Sequence, residues 1–253
     1  MTNILLTNDD GIYSPGIITL YESIKSLGKV HVIAPASEMS AVGHAITLTD
    51  PLRVEKVNRR GEFFGHAVSG TPADCVKIAV WALLDEKPDI IISGINLGNN
   101  TGISIIYSGT VSAATEGTIL KIPSIAISLA AYKKPDFTYA AKFAKKLIPI
   151  VLERKLPIGT LLNVNVPNVP EEEIEGVMTT KQGKAVYQEF FDKRTDPWGR
   201  SYYWMAGEKV KMKQDDSVDD SAIFNNMVSV TPIQFDLTDY ANMDLIKSWN
   251  LTK

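Results

Sequence analysis

Asn8-Asp9-Asp10-Gly11 closes the short apolar run Ile4-Leu5-Leu6, so two adjacent carboxylates and a carboxamide stand together near the amino end of the chain. Neighbouring carboxylates that leave water repel each other, and a divalent cation with oxygen ligands relieves both costs. Asn, Asp and Gly are also ordinary residues of a tight turn. The tetrapeptide alone leaves both readings open. Ser37 to His44 is a small polar stretch in which Ser40 offers a hydroxyl to a cation and His44 a contact to an anion. A loop serine and a surface histidine are the plainer alternative. Ser93 to Gly102 holds three glycines and three asparagines straight after an apolar run. Such a loop brings backbone N–H groups and neutral oxygens to a ligand without a side-chain barrier. It lacks the Gly-Lys-Ser/Thr of a P-loop and fits the dinucleotide fingerprint poorly. Ser108-Gly109-Thr110 opens a segment of small residues whose hydroxyls and free N–H groups can cradle an anion. Close packing accounts for Ala113 and Ala114 without any ligand.

The elements that must position these residues follow from hydrophobic period. Ile4 to Leu6 reads as a strand, Ile17 to Ile24 as a helix capped near Gly28, and Lys29 to Pro35 as a second strand. This β-α-β alternation calls for a parallel sheet with right-handed crossovers. Ligands of such sheets bind at the carboxyl ends of the strands. Ala45 to Thr49 and Leu52 to Val57 alternate in polarity and are expected as strands exposed on one face, followed by Phe63 to Val68. Thr71-Pro72-Ala73-Asp74 is a helix start, with Thr71 as cap, and Ala73 to Leu84 continues the helix. Ile90 to Ser93 reads as a buried strand, Ile122 to Ser128 as a further strand, Phe137 to Glu153 as a helix, and Leu161 to Pro167 as a strand. Thr179 to Gly207 is rich in aromatics (Tyr187, Phe190, Phe191, Trp198, Tyr202, Tyr203, Trp204), and Asp196-Pro197-Trp198-Gly199 signals a turn. Two long strands forming a protruding hairpin are expected, with the aromatic surface serving an oligomer contact or a core layer. Lys213 to Asp220 is expected as a mobile acidic loop, Met227 to Ile233 as a strand, and the segment from Thr238 as a short helix.

Composition bounds the function classes. The 253 residues are 45% hydrophobic and 22% charged, ordinary for a globular α/β protein. A net charge of −3 gives no electrostatic footprint for a nucleic-acid polymer or a membrane surface. No apolar run reaches the roughly 20 residues of a membrane span, and no leader segment is evident, so a cytoplasmic protein is expected. Cys75, the single cysteine, lies in an apolar helical run and reads as a buried structural thiol. His31 and His66 fall inside strands and read as structural.

Leu6-Thr7-Asn8-Asp9-Asp10-Gly11, Ser40-Ala41-Val42-Gly43-His44, Ser69 to Val76, Ser93 to Gly102 and Tyr107-Ser108-Gly109-Thr110-Val111 occur here in one order along almost the whole chain. Together with Pro123-Ser124-Ile125-Ala126 and Tyr202-Tyr203-Trp204, this series resembles the SurE family of metal-dependent nucleoside-monophosphate phosphatases. The resemblance implies a Rossmann-like, mostly parallel sheet flanked by helices, with a protruding β-hairpin and a C-terminal oligomerisation segment. Residues 1–178 would form the catalytic core, and residues 179–253 the extension used to build a homodimer or homotetramer. It implies further that Asp9, Asp10, Ser40 and Asn96 hold one divalent cation, Mg²⁺ or Mn²⁺ for an all-oxygen shell. Asn8 would lie beside the substrate phosphate, with Ser108, Gly109 and Thr110 around that group. The implied reaction is removal of phosphate from nucleoside 5′-monophosphates, with 3′-monophosphates a second class. Attack on phosphorus by a metal-activated water, oriented or deprotonated by Asp9 or Asp10, is the preferred mechanism, and a route through an aspartyl-phosphate is the alternative. The competing reading is a non-catalytic nucleotide-binding oligomer with a structural metal.

Overall fold

The computed structural model describes residues 1–131, 133–184, 187–209, 215–249 and 251. The first half runs β1 (Asn3–Thr7), α1 (Pro15–Ile24), β2 (Lys29–Pro35), β3 (Val54–Arg59), β4 (Glu62–Val68), α2 (Pro72–Ile78, continued by a π-helical turn), β5 (Ile90–Leu97), α3 (Ser104–Tyr107) and α4 (Gly109–Ile119). The second half runs β6 (Ser124–Ala130), α5 (Thr138–Arg154), β7 (Thr160–Pro167), β8 (Gly176–Thr179), β9 (Tyr187–Thr195), β10 (Ser201–Lys209), α6 (Asp219–Phe224), β11 (Met227–Gln234) and α7 (Met243–Ser248).

Nine strands form one sheet in the order β3-β4-β2-β1-β5-β6-β7-β11-β8, and β9 and β10 form a separate antiparallel hairpin. The central neighbours are all parallel, while β3 and β11 run antiparallel to β4 and β7. Strand β1 is buried on both faces. Ile4 and Leu6 pack with Ile17, Leu20 and Ala140 of α1 and α5, and Leu5 packs with Cys75, Val76 and Ala113 of α2 and α4. That three-layer burial is why β1, β5 and β6 read as unbroken apolar runs rather than alternating ones. The chain leaves β1 toward β2 on one side and later fills β5 on the other. The crevice at the carboxyl ends of β1 and β5 is therefore the topological switch point. No described helix is long and apolar enough to cross a membrane.

Several expectations are corrected. Ala45 to Thr49 is not a strand: the Thr47 N–H and Oγ1 both go to the Asp74 carboxylate, and the Ala45 carbonyl accepts from Thr71 Oγ1. The central N–H of the segment is thus committed to the start of α2 and is lost to a ladder. Helix α1 ends at Ile24 with Lys25 as cap, and Gly28 lies against the Thr2 carbonyl instead. Strand β5 does not stop at Ser93 but passes through a register shift to Leu97, so Asn96 sits on a strand end rather than in a free loop. Of the expected acidic loop, Lys213 and Gln214 lie outside the described residues. Asp219 and Asp220 open α6, and Asp219 is fully buried. Strand β11 enters the main sheet between β7 and β8.

Candidate functional site

Asp9 and Asp10 leave β1 at the switch point and reach in two directions. Asp9 is buried, and its Oδ1 accepts from Thr110 Oγ1 at 2.5 Å. The Thr110 backbone N–H donates to the same carboxylate, so Asp9 sits on the first turn of α4. Burial raises the Asp9 pKa above the ordinary carboxylate value, against the opposing pull of the Thr110 bonds. Asp10 Oδ2 accepts the Leu97 N–H at 3.0 Å, one residue beyond Asn96. Burial first, and the Asp9 charge second, push Asp10 up to about 6. Both carboxylates thus carry an electrostatic cost that an added cation would remove.

The other parts come from a loop, a strand end and a helix start. Residues 36–53 contain no helix or strand. Their course is fixed by tethers, including the Met39 N–H to the Asp9 carbonyl at 2.8 Å and the Gly43 N–H to the Tyr107 carbonyl at 3.0 Å. These contacts set Ser40 beside the acidic turn, exposed, with its Oγ donating to Glu38 Oε1 at 2.6 Å. Asn96 is nearly buried, and its Nδ2 donates to the Gly98 carbonyl at 2.7 Å. Its Oδ1 is left as the acceptor, the atom a hard cation would take. Ser108 caps α4, its Oγ accepting from the Val111 N–H at 3.1 Å. A Cβ placed on Gly109 would stand 2.8 Å from Asp9 Cβ and 3.1 Å from Pro72 Cγ, so only glycine lets the helix start approach the acid this closely.

Asn8 is placed differently from the expectation of a direct phosphate contact. It is fully buried, and its Nδ2 donates to the Gly11 carbonyl at 2.9 Å and Ser14 Oγ at 2.7 Å. In this arrangement it braces the acidic turn from beneath. Its Oδ1 has no partner among the described atoms. Thr110 likewise gives its hydroxyl to Asp9.

No group of three or more His, Cys, Asp or Glu residues among the described residues is arranged to hold a metal. The donor set here is of another kind, with two carboxylates, a hydroxyl and a carboxamide oxygen. All-oxygen donors suit Mg²⁺ or Mn²⁺ and disfavour zinc. The destabilised acid pair and the free Asn96 Oδ1 fit such an ion. Sequence reasoning passed over Glu38, whose charge adds to the upward push on both acids. An acidic residue two positions before Ser40 was the available signal. It also passed over Glu116 of α4, a buried carboxylate bonded to His44 and Lys77.

Residues 4–189 match the family described as Survival protein SurE. The 5′-nucleotidase SurE of Syntrophobacter fumaroxidans is 50% identical over 248 residues, covering 98% of this chain and 99% of that protein. The protein of the same name from Chlorobium limicola is 48% identical over 251 residues, covering 99% and 97%. The crystal structure of the SurE protein from Aquifex aeolicus matches with a TM-score of 0.86 at 45% identity, over 98% of this chain and 99% of that one. An acidic turn, an Asn-bearing strand end and a small-residue helix start converge at one switch point, within a sequence alike from end to end: the chain belongs to the SurE family.

Proposed function

We propose that this protein is a metal-dependent phosphomonoesterase that removes phosphate from nucleoside 5′-monophosphates. The observation that carries this reading is the double engagement of the acidic turn. Asp9 holds the first turn of α4, an anion cradle, while Asp10 holds the end of β5 beside Asn96. The proposed cation donors and the proposed phosphate cradle thus meet at one two-residue segment. The near full-length relatives named 5′-nucleotidase SurE support the substrate class.

Asp9, Asp10, Ser40 and Asn96 would hold the cation, Mg²⁺ or Mn²⁺, which supplies Lewis-acid charge and lowers the pKa of a water when bound. The first turn of α4, with Ser108 and Gly109, orients the phosphate and offsets charge on its equatorial oxygens. Thr110 and Asn8 keep the acids in place for that work. One of the two carboxylates accepts the proton of the attacking water. Among the described residues no free cysteine faces the site, since Cys75 is buried within the α2 layer. The exposed hairpin residues Phe190, Phe191, Trp198, Tyr203 and Trp204 support a homodimer or homotetramer built through this arm.

The test is phosphate release from AMP, GMP and p-nitrophenyl phosphate in Mn²⁺ or Mg²⁺ and in excess EDTA. Turnover in the metal and none in EDTA is expected. A wild-type protein that binds nucleotide yet releases no phosphate with any divalent ion would overturn the enzyme reading. It would leave a nucleotide-binding oligomer.

Gly109→Ala probes the close approach of α4 to the acids. The added methyl has no room against Asp9 Cβ and must push the carboxylate or the helix start aside. Because displacements near 1 Å cost about 10²-fold in well-positioned sites, kcat/KM is expected to fall by roughly that factor. Overpacking a buried contact also costs about 1–3 kcal/mol, so the unfolding temperature is expected to fall by several degrees while the folded fraction still shows the loss in kcat/KM.

A further inference from the structure

Glu116 has no part in the chemistry above, yet it is among the few buried charged side chains. It lies two turns beyond the cradle on α4, with its side chain only 4% exposed. A carboxylate withdrawn from water needs charged partners, and Glu116 has two, from different elements. Lys77 of α2 donates to Oε1 at 2.8 Å, and His44 Nε2 lies 2.9 Å from Oε2. Burial pushes the Glu116 pKa up, and the bonds to His44 and Lys77 outweigh it, leaving the group below its usual value and ionised.

The two arms do different things. Lys77 joins two helices that already pack together through the core. His44 belongs to the 36–53 segment, which has no regular structure and carries Ser40 four residues earlier. Between Ser40 and the Thr47 bonds to Asp74, the segment is held to the body of the protein by the Gly43 N–H at Tyr107, the Ala45 carbonyl at Thr71 and the His44 side chain at Glu116.

We propose that Glu116 is a positioning residue for the cation site: by gripping His44 it holds the Ser40 loop against the same helix whose first turn cradles the phosphate. One buried carboxylate thereby keeps the Ser40 donor and the phosphate cradle at a fixed separation. The proposal rests on Ser40 being a metal donor, as in the function proposed above.

The experiment titrates the full-length protein with Mn²⁺ alone, reading free Mn²⁺ by electron paramagnetic resonance, and separately measures AMP hydrolysis. His44→Ala removes the loop arm and leaves the Lys77 pair intact. It is expected to weaken Mn²⁺ binding by about tenfold, the effect of losing one charge-assisted hydrogen bond. KM for AMP rises at limiting Mn²⁺, while kcat at saturating Mn²⁺ stays within about twofold. His44→Gln, whose amide can still donate to Glu116, recovers most of the lost affinity. Lys77→Met removes the other arm; it lowers the unfolding temperature and leaves Mn²⁺ affinity unchanged. Unchanged Mn²⁺ affinity in His44→Ala overturns the proposal. So does equal weakening in Lys77→Met, which would make the effect general instability. A fall in kcat with intact Mn²⁺ affinity also overturns it, since His44 would then act on substrate. Absence of hydrolysis by the wild type refutes the enzyme reading instead, and the Mn²⁺ titration still decides the role of the tether.

Discussion

Asp9→Asn is expected to lose at least about 10³-fold in kcat for AMP hydrolysis, because it removes one of the two anionic donors proposed for the cation and the acid on which α4 is seated. Asparagine has the same shape and still accepts a bond from Thr110 Oγ1, so the fold should persist by circular dichroism. The metal-free variant should in fact be more stable than wild type at neutral pH. Burial raises the pKa of Asp9 in the folded chain above its unfolded value. A group shifted in that direction contributes stability while protonated, and loses it as pH rises from the unfolded pKa through the folded one. At pH 7 the wild type without metal carries that cost and the asparagine variant does not. The difference in unfolding temperature measured in EDTA should therefore be positive at pH 7 and shrink toward pH 4. Retained turnover in Asp9→Asn would show that the cation is held elsewhere.

Gly94→Ala is expected to have the largest effect on stability. Gly94 lies in the register shift of β5 with φ at +142°, a region that side-chain-bearing residues rarely adopt. A Cβ there would stand 2.3 Å from the Ile127 carbonyl oxygen of β6. That oxygen belongs to the backbone of a strand paired on both sides, so it cannot move without opening the sheet. Strain and clash together should cost ~3 kcal/mol or more. For a chain of this size that lowers the unfolding temperature by roughly 6–12 °C. A urea midpoint equal to wild type would mean that β5 follows another path to Asn96. In whatever folded fraction remains, Mn²⁺ affinity should fall as well, because Asn96 stands two residues downstream of the distortion.

The sheet and the acidic turn were legible because the signals that mark them are local. The unbroken run Ile4-Leu5-Leu6 that buries both faces of β1 is one such signal. The capping box of Thr71 and Asp74 is another, and so is the Asp196 turn, whose carboxylate accepts the Trp198 and Arg200 N–H groups. What stayed hidden depends on partners far along the chain. Ala45 to Thr49 has the alternation of a strand, but Asp74, 27 residues from Thr47, claims its donors. Asp219 looks like one more charge in an acidic run. In the fold it accepts the Gly102 N–H at 2.8 Å and the Gly183 N–H at 2.9 Å, which ties the loop after Asn96 to the root of the hairpin. Asn100 is one of several loop asparagines, yet it is ringed by Asn163, Asn165 and Ser128 within the protein. The candidate site residues were readable by type. Which of their atoms are already bonded within the protein was not, as Asn8 shows: its Nδ2 turns inward to the Gly11 carbonyl and Ser14 Oγ.

The insertion of β11 between β7 and β8 has a consequence for biosynthesis. As the chain leaves the ribosome, β1 through β7 can associate as they appear, with β3 joining once β4 is made. β8 follows soon after, but its neighbour in the finished sheet is not yet translated, and β7 waits with an open edge. The hairpin, carrying its exposed aromatics, is synthesised during that wait. The nascent protein therefore passes through an interval with a bare strand edge and a hydrophobic arm displayed together, the combination most prone to self-association. Termination of translation between Lys209 and Met227 releases a product with both hazards, although every residue proposed to touch the substrate has already been made.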